Sequence, residues 1–157
     1  MSFLKRQQPP VPVKTALLAG FGGAAAIGVL GMASTIGTPL LMAPFGASCV
    51  LLFSAPKSPL SQPANVVFGH AISALVGLLC LAMFPAHWVT VAVAVGIAIT
   101  AMALLRVTHP PAGANPLVIF ATSPSPDFFV FPVVSGAVLL VAVAWSYHRI
   151  LKSDYPS

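Results

Sequence analysis

Between Thr15 and Tyr147 the chain carries three charged residues, Lys57, Arg106 and Asp127. A soluble domain has about 25% charged residues, whereas this chain has 6%, beside 58% hydrophobic residues. Two acidic residues, Asp127 and Asp154, cannot keep such a surface in water. The sequence therefore reads as an integral membrane protein in a lipid bilayer. The +5 net charge is that of seven basic residues, Lys5, Arg6, Lys14, Lys57, Arg106, Arg149 and Lys152, less the two aspartates. These residues flank apolar segments instead of forming a basic face with stacking aromatics, so they are topology signals and exclude a nucleic-acid partner.

Four apolar runs are long: Thr15 to Gly37, Val66 to Phe84, Trp88 to Leu105 and Phe128 to Tyr147. A bilayer crossing takes about 20 residues as helix. Lipid offers nothing to bond a free backbone group, so the expected fold is all-α, a polytopic membrane helix bundle. Residues 1–14 read as a disordered basic lead-in, 15–150 as one transmembrane domain and 151–157 as a short tail. The first run exceeds a signal-peptide core of about 7–15 residues, which favours a span over a leader. Its glycines, Gly20 and Gly28 among them, invite close helix packing. Asn65 is the expected N-cap of the second long run. Trp88, His87 and His148 are expected at the membrane interface. Cys49 and Cys80 read as buried small hydrophobes, and the scattered histidines lack metal-ligand spacing, so neither metal nor cofactor is expected.

Two further pieces are short and broken by proline and glycine. One runs from Pro44 to about Ala55. The other follows Thr108-His109-Pro110-Pro111-Ala112-Gly113-Ala114-Asn115-Pro116 and continues from Leu117 to Thr122. Breaks of this kind at membrane depth persist where protein or a wet cavity surrounds them, which makes them the expected functional site. A shift of 67 positions lays Pro44 on Pro111, Gly46 on Gly113, Ala47 on Ala114 and Phe53 on Phe120. From Pro44 to Gly69 it gives nine identities in 26 positions without a gap. The reading is two internal repeats, about 15–81 and 82–150, each of two long spans plus one short broken helix. Crossing short helices would give six segments in inverted repeats; re-entrant ones would give four spans in parallel repeats. The positive-inside rule favours six, because all seven Lys and Arg then share the side of the two termini, the cytoplasmic side.

Each short helix is expected to begin at its Pro-x-Gly-Ala turn. Helix N-termini carry unpaired N–H groups and the positive end of the dipole, so two of them meeting would bind a small anion. Pro44, Gly46, Ala47, Pro110, Pro111, Gly113 and Ala114 would shape the turns. Ser48, Thr108 and Asn115 would supply hydrogen bonds, as would Asn65 and His70 from the second long run. Arg106 and His109 would add positive charge or carry a coupled proton. No acidic residue stands near either turn. The same prolines and glycines also suit plain structural breaks, Arg106 a topology anchor, and His109 a helix cap. An enzyme would need an acid–base pair or an activated nucleophile, and no such set is visible in the sequence, so none is expected.

The run from Thr108 to Pro116 resembles the signature of the HPP family of integral membrane proteins. Pro44 to Ser48 and Gln62 to His70 are similar to that family as well, and the likeness spans about Thr15 to Arg149. The resemblance implies four transmembrane spans, against the six favoured above. It also implies anion transport, because some plastid and cyanobacterial members are linked to nitrite. Ala64 stands where many members have arginine. The functional expectation is transmembrane transport of a small monovalent anion, nitrite favoured, by a homo-oligomer in a bacterial inner or plasma membrane. The alternative is a non-catalytic structural or accessory subunit of a membrane complex.

Overall fold

A computed structural model describes residues 4, 6–35, 37 and 39–157. Residues 1–3 and Lys5 of the lead-in, Ile36 in the first apolar run and Thr38 just after it lie outside the described residues. Six α-helices and no strand occur among the described residues: α1 (Val13–Thr35), α2 (Ala43–Ser54), α3 (Pro63–Met83), α4 (Trp88–Leu104), α5 (Asn115–Thr122) and α6 (Ser135–Ile150). By length and composition Val13–Thr35, Pro63–Met83 and the segment Pro126–Ile150 can each cross a membrane. At 1.5 Å per residue the 12-residue α2 spans about 18 Å and the 8-residue α5 about 12 Å, well short of the roughly 30 Å hydrocarbon core.

Proline sets where the elements start. Pro44 sits in the first turn of α2 and Pro63 in the first turn of α3, where a missing N–H breaks no helical bond. Asn65 therefore lies inside α3; the cap is Gln62, in extended conformation. His87 caps α4, its Nδ1 accepting from Val89 N at 3.3 Å. The two Pro-x-Gly-Ala stretches fold differently. The first opens an α-helix directly, whereas Pro110–Ala114 is a 3-10 turn and α5 starts only at Asn115. The approach to α6 is also irregular: Phe131 is extended (φ −125°, ψ 113°), which divides Pro126–Ile150 below Ser135.

Contacts fix which ends lie together. The Tyr147 hydroxyl near the end of α6 donates to Leu18 O near the start of α1 at 2.6 Å. Lys57, between α2 and α3, donates to Asp154 in the tail at 2.9 Å. Thr108, just after α4, accepts from Asn65 at the start of α3. These groups mark one end of the bundle. At the other end Gly37, Pro39 and Leu41 share a depression with Pro124, Ser125 and Asp127. The α3–α4 link is there too, with His87 and Trp88 beside Leu117 and Phe120 of α5. The helices thus alternate in direction between the two ends, and the short α5 is preceded by the 3-10 turn Pro110–Ala114. Lys57 and Arg106 share the end of the described termini, and Asp127 lies at the opposite end.

The core lies between α1, α2 and α6, filled by Ala26, Leu30, Phe45, Leu52, Val66, Ala137 and Leu140. Burying that apolar face against protein instead of lipid gains mainly close packing, which is why small residues sit at the tightest crossings. A Cβ at Gly22 would lie 2.5 Å from the Phe53 ring, and one at Gly136 would strike Phe45. Gly20 and Gly28 make no such approach. Nothing lies within 4 Å of their missing Cβ atoms, and both are exposed, Gly20 in a groove between α1 and α2.

Candidate functional site

The stretch after α4 carries a broken backbone from the bundle end inward, and side chains from α3 bond it. Asn65 Nδ2 donates to Thr108 O at 2.9 Å. Ser73 Oγ donates to Ala112 O at 2.6 Å. Asn115 Nδ2 donates to His70 O at 2.9 Å, and His109 Nδ1 meets Leu60 O at 2.8 Å. The first two answer carbonyls of the non-helical segment that lipid could not bond, and the other two tie its own side chains to carbonyls of α3 and of the α2–α3 loop. Gly69 lets α3 approach: a Cβ there would lie 2.8 Å from His109 Cβ and 3.0 Å from Val107 O.

At the centre stands Ser48. Its Oγ lies 2.9 Å from His70 Nε2 and 2.8 Å from His109 Nε2, with Pro44 O at 3.3 Å. His70 Nδ1 lies 3.3 Å from Asn115 Oδ1. The chain of contacts is thus Leu60 O, His109, Ser48, His70, Asn115. All four side chains are fully buried, as is Ser73. The two imidazoles meet edge to face at 5.1 Å, and Phe45 closes the other side of His70 at 5.0 Å. No Lys, Arg, Asp or Glu is buried among the described residues. The helices present these groups by simple periodicity. Phe45, Ser48 and Leu52 are the inward stripe of α2, and Val66, His70, Ser73 and Gly77 that of α3.

Of the residues singled out in the sequence, Ser48, His70, His109 and Asn115 converge, with Pro44, Pro111 and the half-buried Thr108 and Asn65 beside them. The others do not join. Gly46 and Ala47 are exposed; Gly46 lines a groove of about 670 Å³ between α1 and α2, on the far side of α2 from Ser48. A Cβ added at Gly46 or at Gly113 would meet nothing within 4 Å, so neither is an obligatory close approach. Pro110 is exposed, and Gly113 and Ala114 are half-buried without a polar side chain to contribute. Arg106 is exposed at the bundle end, in left-handed conformation (φ 60°), and does not reach the cluster. His148 lies near the bundle end but is covered by protein there. It is buried, with Nε2 2.9 Å from Leu52 O and Nδ1 2.6 Å from Ser153 Oγ. Sequence reasoning missed Ser73 and the Leu60 carbonyl. Ser73 was findable, lying three residues after His70 on one face of α3; the carbonyl had no sequence signal.

Six alternating helices, an almost uncharged outer surface and a polar cluster sealed inside define an integral membrane protein. The HPP transmembrane region matches residues 8–156, nearly the whole chain, and the protein belongs to that family. Two transmembrane proteins of Dictyostelium discoideum are similar to it. One is 37% identical over 128 residues, covering 76% of this chain and 41% of the relative. The other is 31% identical over 167 residues, covering 97% of this chain and 59% of the relative. The chain thus spans about half the length of these relatives. No solved structure matches it significantly.

Proposed function

We propose that the protein transports a small monovalent anion across the bilayer, with nitrite, the candidate implied by the family resemblance, as the leading substrate. One observation carries this reading: four fully buried polar side chains converge where the chain is broken, and no carboxylate is buried with them. A buried polar cluster at membrane depth is expensive and marks a substrate path. Ser48, Asn115 and the two histidines can all donate hydrogen bonds, and an anion would exchange its hydration for those donors. These donors now bond one another and the carbonyls of Pro44, Leu60 and His70, and an anion would take the place of some of those contacts.

The six helical segments would then be six crossings, with the end bearing Lys57, Arg106, Arg149 and Lys152 in the cytoplasm. The membrane is a plasma membrane or bacterial inner membrane. Gly28 on the exposed side of α1, and Gly20 in the groove between α1 and α2, suit contact with a second copy, and a homo-oligomer would thicken the thin wall of the bundle. The test is uptake into vesicles containing this protein alone, comparing nitrite with nitrate, formate and chloride. Saturable nitrite uptake that His109→Gln reduces at least about tenfold, roughly 1.4 kcal/mol, supports the reading. Folded protein that moves none of these anions, yet copurifies with a stoichiometric partner, points to an accessory subunit instead.

A further inference from the structure

We infer that the His70–Ser48–His109 cluster binds one proton, shared through the Ser48 hydroxyl, and that this proton crosses the membrane with the anion. The inference rests on the transport reading above and adds the coupling ion. It comes from counting hydrogens. Leu60 O accepts only, so His109 Nδ1 must carry a proton to bond it at 2.8 Å. Asn115 has its Nδ2 committed to His70 O at 2.9 Å, so it turns Oδ1, an acceptor, toward His70 Nδ1 at 3.3 Å. A bond there needs a proton on His70 Nδ1 as well. Both rings then point Nε2 at Ser48 Oγ, at 2.9 Å and 2.8 Å. The Ser48 hydroxyl also has Pro44 O at 3.3 Å and gives up that longer bond for the shorter ring contacts, so the other four contacts require four protons. Two neutral imidazoles and one hydroxyl hold three between them. One added proton completes the set: one ring donates Nε2–H to Ser48 Oγ, and the Ser48 hydroxyl donates to Nε2 of the other.

The two arrangements are related by a balanced transfer. The Nε2–H bond of His70 breaks as its proton joins Ser48 Oγ, while the original Ser48 O–H bond breaks and its proton joins Nε2 of His109. The charge moves from one ring to the other and Ser48 stays neutral. The added proton comes from hydronium in the aqueous phase. What faces the cluster does not neutralise it. α2 offers Phe45, Ser48 and Pro44 O. α3 offers His70, Ser73 and Asn65, and the broken stretch offers His109 and Asn115. The ionic side chains nearest in sequence, Lys57, Arg106 and Asp127, are exposed at the two bundle ends, and Lys57 is paired with Asp154. An anion is therefore the natural counter-charge, and by linkage each ligand raises affinity for the other.

The experiment uses vesicles with the membrane potential clamped at zero, a trapped pH dye and nitrite as probe, with protein-free vesicles subtracted. Nitrite uptake is expected to run several-fold faster into alkaline vesicles and to bring in about one proton per anion, because one shared proton accompanies each anion. Ser48→Ala is expected to lose the proton uptake and Ser48→Thr, which keeps a hydroxyl, to restore it. Nitrite flux that ignores the pH gradient and moves no protons overturns the coupling while leaving the transport reading intact. If no anion moves at all, the transport reading fails, and histidine ¹⁵N spectra in nanodiscs decide the proton site separately. One proton shared between the Nε2 atoms of His70 and His109, separated by Ser48→Ala, upholds it. Two neutral rings down to pH about 5, well below the usual histidine value, overturn it.

Discussion

Gly69→Ala should damage the protein more than its size suggests. The added methyl would lie 2.8 Å from His109 Cβ and 3.0 Å from Val107 O, whereas ordinary contact begins at 3.4 Å. The backbone at Val107–His109 must then retreat by about 0.6 Å. His109 is held by two contacts of 2.8 Å, to Ser48 and to Leu60 O. A retreat of that size stretches one of them to roughly 3.4 Å, beyond useful hydrogen-bond range. The loss leaves a buried polar atom unpaired, about 1–3 kcal/mol, and the overpacking adds about 1–3 kcal/mol. Against this stands a gain of about 1 kcal/mol from replacing glycine within a helix. The net is about 1–5 kcal/mol of destabilisation, or roughly 2–4 °C of melting temperature per kcal/mol for a chain of this size. Gly96→Ala is the matched control, because nothing lies within 4 Å of its missing Cβ and it is exposed on α4. Cys49 and Cys80 are free and buried, so a thiol-reactive fluorophore reports unfolding of both variants. Gly69→Ala melting at or above Gly96→Ala would refute the close-approach argument.

Other consequences can be checked one at a time. Tyr155 is buried with no partner for its hydroxyl among the described residues, and burial pushes its phenol up to about 12. Tyr155→Phe should therefore leave stability unchanged or raise it by up to about 1 kcal/mol in a thermal melt. The Lys57–Asp154 contact holds the Asp154 carboxyl below the usual range and the Lys57 ammonium above its own. A depressed acid loses its contribution only as pH falls through its folded value, and a raised base only as pH rises through its own. Tail docking, followed by proteolysis of residues after Ile150, should thus be flat across neutral pH and weaken in high salt. Ser48 and His109 form the geometry of a nucleophile and its base, yet both are sealed. A serine-directed fluorophosphonate should leave Ser48 unlabelled, and labelling by mass spectrometry would reopen an enzymatic reading.

The helices were legible because their cause is local. Apolar length sets α1, α3 and α4, and proline at a first turn sets the start of α2. The inward placement of Ser48 and His70 was also implicit, since three- and four-residue spacing puts them on stripes with Phe45 and Ser73. The failures are non-local. Whether Gly46 or Gly69 is the indispensable glycine depends on which neighbour comes within 3 Å, and no sequence pattern states that. Asn65 resembled a cap, but Gln62-Pro63 starts the helix earlier and frees its amide for Thr108, 43 residues away. The burial of His148 also has no sequence signal, because it comes from the tail folding back and bringing Ser153 within 2.6 Å. Arg106 looked like part of the anion site because it precedes His109 by three residues. Its left-handed backbone instead turns the chain at the bundle end before the polar stretch begins.

The most direct test of the central claim is the rate of nitrite entry into proteoliposomes holding wild-type protein, His109→Gln or Gly96→Ala at equal folded amounts. The account predicts saturable entry with wild type and Gly96→Ala, and a loss of at least about tenfold with His109→Gln. Equal entry with all three proteins would show that the buried cluster is not the transport path.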